Sequence, residues 1–166
     1  MIDIREERPS DAAVIRDVNT RAFAQTQEAN IVDALRSNGG MLLSLVATIH
    51  DQVVGHIMYS PASVGSTAGA ALGPMAVLPE HQSQGIGSRL IEAGSRALRE
   101  KGCPFIVVVG HAGYYPRFGF EPGSRSDITC EWNVPDDVFM VLVLNAEKMQ
   151  GVSGLAKFRR EFSSVS

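Results

Sequence analysis

The chain opens on strict alternation, Ile2-Asp3-Ile4-Arg5-Glu6, which predicts a short strand with one buried face. Pro9-Ser10-Asp11 follows, and Ser10 or Asp11 can cap a helix. Val14, Val18 and Ala22 then recur four apart with Ile15 and Phe23 beside them, an amphipathic helix. Gln25 to Gln27 is a polar break. Ile31, Val32 and Leu35 mark a second helix that stops at Asn38-Gly39-Gly40. Leu42 to His50 is rich in strand formers, Asp51-Gln52 predicts a two-residue turn, and Val53 to Ser60 runs back, so an antiparallel hairpin is expected. Pro61 to Gly69 reads as the end of that strand and a flexible loop, because it is rich in Gly, Ser, Thr and Ala. Ala71 to Leu78 is the next strand.

Gly85 to Lys101 predicts the longest helix, with Ile86, Leu90, Ala93 and Ala97 as its stripe, Ile91 and Leu98 flanking it, and Gly102 as its stop. Phe105 to Val109 is a continuous apolar run, the signature of a strand buried on both faces and parallel to a neighbour. Strand, helix and strand from Ala71 to Val109 make a right-handed βαβ unit. Gly113 to Phe118 predicts a short helix or turn, Phe120 opens a strand, Asp136-Asp137 turns the chain, and Phe139 to Leu144 is a further buried strand. After Asn145 the glycines at 151 and 154 break the pattern, and Ala156 to Phe162 reads as a final strand or short helix. The sum is an α/β protein with a mixed sheet, antiparallel at first and parallel in the middle, with helices on both faces.

At 166 residues one domain is expected, long enough to bury a core. A net charge of −3 argues against a nucleic-acid footprint, which would be basic and clustered. The nearest approach, Lys157-Phe158-Arg159-Arg160, reads as a solvated tail or helix face. Cys103 and Cys130 form no CxxC and no ligand spacing with the four histidines, so free thiols and no metal are expected. The first residues do not resemble a signal peptide, and no stretch approaches the roughly 20 apolar residues of a membrane span. A cytoplasmic protein with no membrane partner is the expectation.

The chemistry concentrates between Leu72 and Ser88. Gly73-Pro74 interrupts an apolar strand: proline cannot donate to a ladder, and glycine there suggests a bulge or a close backbone approach. Gln82-x-x-Gly85-x-Gly87 then leads into a helix whose first amides have no internal partner, an arrangement suited to phosphate. Gln-x-x-Gly-x-Gly after Met75-Ala76-Val77 resembles the acyl-CoA-binding motif of the GNAT N-acetyltransferase superfamily. Tyr114-Tyr115-Pro116-Arg117-Phe118-Gly119-Phe120 resembles its second signature, in the right order. The likeness covers about Ile2 to Leu144, and it implies a splayed sheet of six to seven strands flanked by helices. It makes 1–166 a single acyltransferase domain, with a core at about 2–145 and a C-terminal extension at 146–166.

The resemblance further implies that backbone groups of Met75, Ala76 and Val77 pair with the pantetheine of acetyl-CoA, and that Gln82, Ser83, Gln84, Gly85, Ile86, Gly87 and Ser88 take its pyrophosphate. Tyr115 would be the acid that protonates the leaving thiolate, while Tyr114 packs. A base, or a water chain, is needed for the amine; Glu28, His56 and His111 are the candidates, and Glu28 could instead bind a cationic amine. The expected activity is direct acetyl transfer from acetyl-CoA to a primary amine of a small molecule or protein. The alternative is a non-catalytic acyl-CoA-binding module with the same fold. A dinucleotide-binding domain fits poorly, since Gly-x-Gly lacks the third glycine and does not open the chain. Domains of this kind pair through an edge strand or a C-terminal segment, and Ala156 to Phe162 could serve in a homodimer.

Overall fold

The computed structural model describes residues 1–165. In chain order the elements are β1 (Ile2–Glu6), α1 (Ala12–Phe23), α2 (Gln27–Ser37), β2 (Leu43–Ile49), β3 (Gln52–Val64), β4 (Thr67–Val77), α3 (Ile86–Glu100), β5 (Phe105–Val109), β6 (Glu121–Pro122), β7 (Ile128–Cys130), β8 (Phe139–Val143) and β9 (Gly154–Lys157). Seven strands run in the order β1-β2-β3-β4-β5-β8-β6, as the mixed-sheet expectation requires, and β9 lies beside them between β3 and β7. Among the described residues only β4–β5 and β7–β9 are parallel pairs.

The first hairpin turns one residue earlier than the sequence predicts. Ile49 faces Gln52, so the loop is His50-Asp51. Both residues are left-handed, with φ of 49° and 62°, the geometry that matches strand twist in a two-residue loop. A larger departure concerns Pro61 to Gly69, which is strand rather than flexible loop. β3 and β4 form one long hairpin closed at Gly65-Ser66, with Val64 facing Thr67. Its small residues are there for close packing: a Cβ on Gly69 would lie 2.4 Å from the Phe105 ring, and Ala62, Val64, Ala71 and Ala156 pack with Phe105 and Phe139 in a second core cluster. Pro61 is tolerated because β2 pairs no further along β3 than Tyr59, and β9 joins only at Ser63.

Helices cover both faces. His56 meets Asn19 of α1, while its neighbour Gly55 packs against Ile86 and Leu90 of α3, and successive strand residues point to opposite faces. The buried stripe of α3 is rotated from the predicted one: Gly94 and Ser95 are buried with Ile86, Leu90, Ile91 and Leu98, whereas Ala93 and Ala97 sit at its edge. Gly94 is central because Tyr59, itself fully buried, lies across it.

The C-terminal segment combines both predicted forms, a strand at β9 and then a 3-10 helix at Arg160–Val165. Both edges of β9 are taken within the chain, by β3 and β7, so this part of Ala156 to Phe162 offers no free edge for pairing with a second copy. Arg159 is no solvated tail residue: it pairs with Glu161 at 2.8 Å, and Asn38 also donates to Glu161, at 3.1 Å.

A Cβ on Gly94 would fall 2.3 Å from the Tyr59 hydroxyl oxygen and 2.4 Å from its ring. Gly94→Ala gains about 1 kcal/mol of helix propensity but overpacks the core, at about 1–3 kcal/mol. The expected net result is a loss of stability in urea unfolding, and adding Tyr59→Leu should cost less than the sum of the two single losses.

Candidate active site

β4 and β5 are paired only at Ala70–Ile106 and Ala71–Val107. Beyond that point they separate. The cause lies on the other side of β4, where Ile57 faces Met75 but Tyr59 faces Leu72. Met58 therefore opposes both Gly73 and Pro74, a β-bulge that bends the strand, as the sequence predicts. Between the two strands opens a cavity of about 910 Å³, whose walls include Leu72 to Val77 of β4 and Val108 and Val109 of β5. Met75, Ala76 and Val77 thus face it from an edge that β5 has left.

The glycine turn closes one end. Ser83 and Gly85 are left-handed, with φ of 63° and 82°. The Arg89 amide donates to the Gly85 carbonyl at 3.1 Å, which leaves the amides of Ile86, Gly87 and Ser88 ahead of the helical ladder. Gln82, Ser83, Gly85, Ile86, Gly87 and Ser88 all line the cavity; Gln84, exposed in the same turn, does not. The Gln82 side chain has an internal task, since its Nε2 donates to the Val77 carbonyl at 3.0 Å and ties the turn to the strand end. At Gly87 the space is already filled: a Cβ would lie 3.0 Å from the Tyr114 hydroxyl and 3.2 Å from the Met75 methyl.

Both tyrosines line the cavity, with ring centroids 5.2 Å apart edge to face. Tyr114 reaches over the turn, and Arg117 covers its ring, Cζ to centroid 4.5 Å. Tyr115 is buried against Gly110 and Phe120. Burial, with a smaller contribution from Tyr114, pushes its phenol up to about 12. Tyr115 therefore stays protonated across the neutral range and meets the cavity as a neutral donor.

The three candidate bases separate. His111, at the end of β5, and Glu28, at the start of α2, line the cavity. His56 does not: it is fully buried, and both ring nitrogens are taken. The Ser44 hydroxyl donates to Glu7, so His56 Nε2–H donates to Ser44 Oγ at 3.0 Å and Nδ1 accepts from Asn19 Nδ2 at 3.1 Å. Glu7 in turn accepts from Arg36. This chain seats α1 and α2 on the sheet, and His56 is a structural histidine. Its mid-strand position beside Gly55 could not distinguish the two roles.

One wall of the cavity was not singled out from the sequence. Trp132, Phe158 and Phe162 line it, as do Phe23 and Ile31. The signal was present only as isolated aromatics in segments with weak periodicity.

Comparison with known proteins places this architecture. Residues 42–122 match the family described as acetyltransferase (GNAT) domain. The uncharacterized N-acetyltransferase YhbS of Escherichia coli K12 is 34% identical over 96% of this chain and 98% of its own length. YjhQ of the same organism, likewise named an uncharacterized N-acetyltransferase, is 44% identical over 68% of this chain and 66% of its own length. The crystal structure of YhbS in complex with CoA superposes with a TM-score of 0.93, at 33% identity over 98% of this chain and 92% of that one. A GNAT family acetyltransferase from Brucella melitensis, solved with acetyl-CoA, gives 0.81 at 36% identity over 98% of each chain.

The buried network has a pH consequence. Burial lowers the His56 pKa from 6.5 to about 4. Between those values an unfolded chain binds a proton that the folded chain refuses, so stability falls as pH drops through this window, by on the order of 3 kcal/mol. Burial pushes Glu7 up, yet hydrogen bonds from Arg36 and Ser44 prevail and hold it below the usual carboxylate range; protonating it at lower pH also favours unfolding. Urea unfolding followed from about pH 7 to about pH 4.5 should show this decline. His56→Gln should be less stable at neutral pH and show a flatter profile; an unchanged slope would contradict the assignment.

Proposed function

We propose that this chain, which belongs to the GNAT acetyltransferase family, transfers the acetyl group of acetyl-CoA directly to a primary amine. The observation that carries the proposal is that one cavity gathers the unpaired edge of β4, the open amides of the glycine turn and Tyr115. CoA or acetyl-CoA in the two solved relatives supports the choice of donor.

On this reading the pantetheine amides take the place that a neighbouring strand would hold along Met75 to Val77. The pyrophosphate sits at the amides of 83–88, where the helix dipole and unpaired N–H groups favour an anion. Arg117, beside the turn, adds a cation there. The amine nitrogen attacks the thioester carbon, the C–S bond breaks, and a proton from the nitrogen passes to His111 or to water. The thiolate takes a proton from Tyr115. With its phenol raised to about 12, Tyr115 is first a hydrogen-bond donor to sulfur; as negative charge develops there it passes its proton on and regains one from water, so that no tyrosinate accumulates. Neither cysteine is placed to act as an acyl carrier: Cys103 and Cys130 do not line the cavity, and burial pushes both thiols up.

Titration calorimetry with acetyl-CoA tests the donor site. Gly85 is left-handed with open space beside it, and Asn and Asp both tolerate that conformation. Gly85→Asn should bind within a few-fold of the parent. Gly85→Asp, which puts a carboxylate where the phosphates belong, should bind at least tenfold more weakly than Gly85→Asn, and equal affinities would remove the turn from the site. Steady-state thiol release tests the chemistry. Tyr115→Phe should keep acetyl-CoA affinity and lower kcat by about 10²-fold or more, and His111→Gln should lower kcat/KM most at neutral pH and least where the amine is already deprotonated. Tight acetyl-CoA binding with no turnover on any amine would favour an acyl-CoA-binding module instead.

A further inference from the structure

The cavity is chemically lopsided. Among the described residues Glu28 is the one carboxylate that lines it. Its neighbour Gln25 donates to both of its oxygens, at 3.0 and 3.1 Å, and that donor is neutral. By contrast Asp33, also in α2, is paired with Arg16 and Arg36, and Glu80 with Arg21. Among the described residues Glu28 has no cationic partner. Its place in the first turn of α2 suits the helix dipole, but that role leaves the charge facing the cavity uncompensated.

Another part of the lining is aromatic. Trp132 and Phe158 stack at 4.3 Å and 22°, and Phe162 meets Phe158 edge to face at 6.2 Å. The cluster is held in place. β9 fixes the chain up to Lys157, the Phe158 amide donates to Glu131 at 3.0 Å, and Arg159, Glu161 and Asn38 bind the next turn to the end of α2. These rings are only half-buried, so a flat apolar group placed against them would cover surface that now faces the cavity.

We infer that the acceptor is a primary amine carrying an aromatic ring, recruited as its ammonium by Glu28 with the ring against Trp132, Phe158 and Phe162. The inference rests on the transferase reading for the identity of the reacting group, and its test is separable from that reading. Trp132 is the sole tryptophan of the chain, so its fluorescence reports occupancy of this wall without any turnover. The protein, saturated with CoA, is titrated with 2-phenylethylamine, butylamine and 3-phenylpropionate. Phenylethylamine should produce a saturable change at a concentration at least about tenfold lower than either of the others, a modest interval for one ion pair and one ring contact. Glu28→Gln should abolish the preference for phenylethylamine over phenylpropionate, and Phe158→Leu should weaken phenylethylamine while leaving butylamine unchanged.

Equal binding of butylamine and phenylethylamine, or a Glu28→Gln variant that keeps the charge preference, would overturn the inference. Thiol release from acetyl-CoA, measured in parallel, separates the two claims. Aryl amine preference together with thiol release upholds both; aryl amine binding with no thiol release on any amine overturns the transferase and with it the aryl amine's role as acceptor, leaving only its binding. Acetylation of butylamine with no aryl preference upholds the transferase and overturns the inference.

Discussion

The separation of β4 from β5 is the constraint on which the rest of the molecule depends. A sheet interior normally leaves no backbone N–H or C=O unpaired. Here the parallel ladder stops after two residue pairs, and the apolar strands on either side continue without each other. The bulge at Gly73-Pro74 bends β4 away on one side, and the Met58 register shows that the bend is built into the antiparallel hairpin, not left to the open edge. The hairpin can impose it because it is long and held along its other edge, by β2 from Gln52 to Tyr59 and by β9 at Ser63 and Val64. A rigid β3 is what turns a local irregularity in β4 into a permanent opening.

Two other features keep that opening accessible. The buried chain from Arg36 through Glu7, Ser44 and His56 to Asn19 holds α1 and α2 at a fixed height over the sheet, so their junction roofs the cavity without filling it. The Arg159–Glu161–Asn38 cluster does the same for the C-terminal segment, tying it to the end of α2. Both are polar devices in places where apolar packing would have stabilised the fold as well. Hydrogen bonds fix direction and distance more tightly than hydrophobic contacts do, and a cavity wall needs position more than it needs adhesion.

Much of this was legible in the sequence, for identifiable reasons. The amphipathic period of α1 and α2, the apolar run of β5 and the glycine turn are local patterns, and each carries its meaning within a few residues. The bulge was also legible, since Gly73-Pro74 breaks a strand by chemistry alone. What escaped was non-local. Pro61 to Gly69 has the composition of a loop, and only the Phe105 ring lying over Gly69 and the absence of β2 beyond Tyr59 explain why it is strand. Gly94 and Ser95 were missed as core because the α3 stripe is set by Tyr59 across the interface, not by the hydrophobicity of α3 itself. His56 stands among the candidate bases in the sequence because a histidine mid-strand reads alike whether its partners are substrate or Ser44 and Asn19. Trp132, Phe158 and Phe162 come together only through β7 and β9, strands too short to show a period.

The cavity that results is lined by groups of unlike charge. A helix N-terminus stands at the glycine turn with Arg117 near it, Glu28 has no cationic partner among the described residues, and much of the remaining lining is strand backbone and apolar side chains. On the proposed reading, a site that brings an anionic donor and a cationic acceptor together gains from having separate groups for each, because each reactant is drawn to its own partner. A dry reacting centre strengthens whatever dipoles are aimed at the carbonyl oxygen and the sulfur. Burial also holds the phenol there neutral: a buried tyrosinate would be an uncompensated charge, and desolvation disfavours it by raising the Tyr115 pKa.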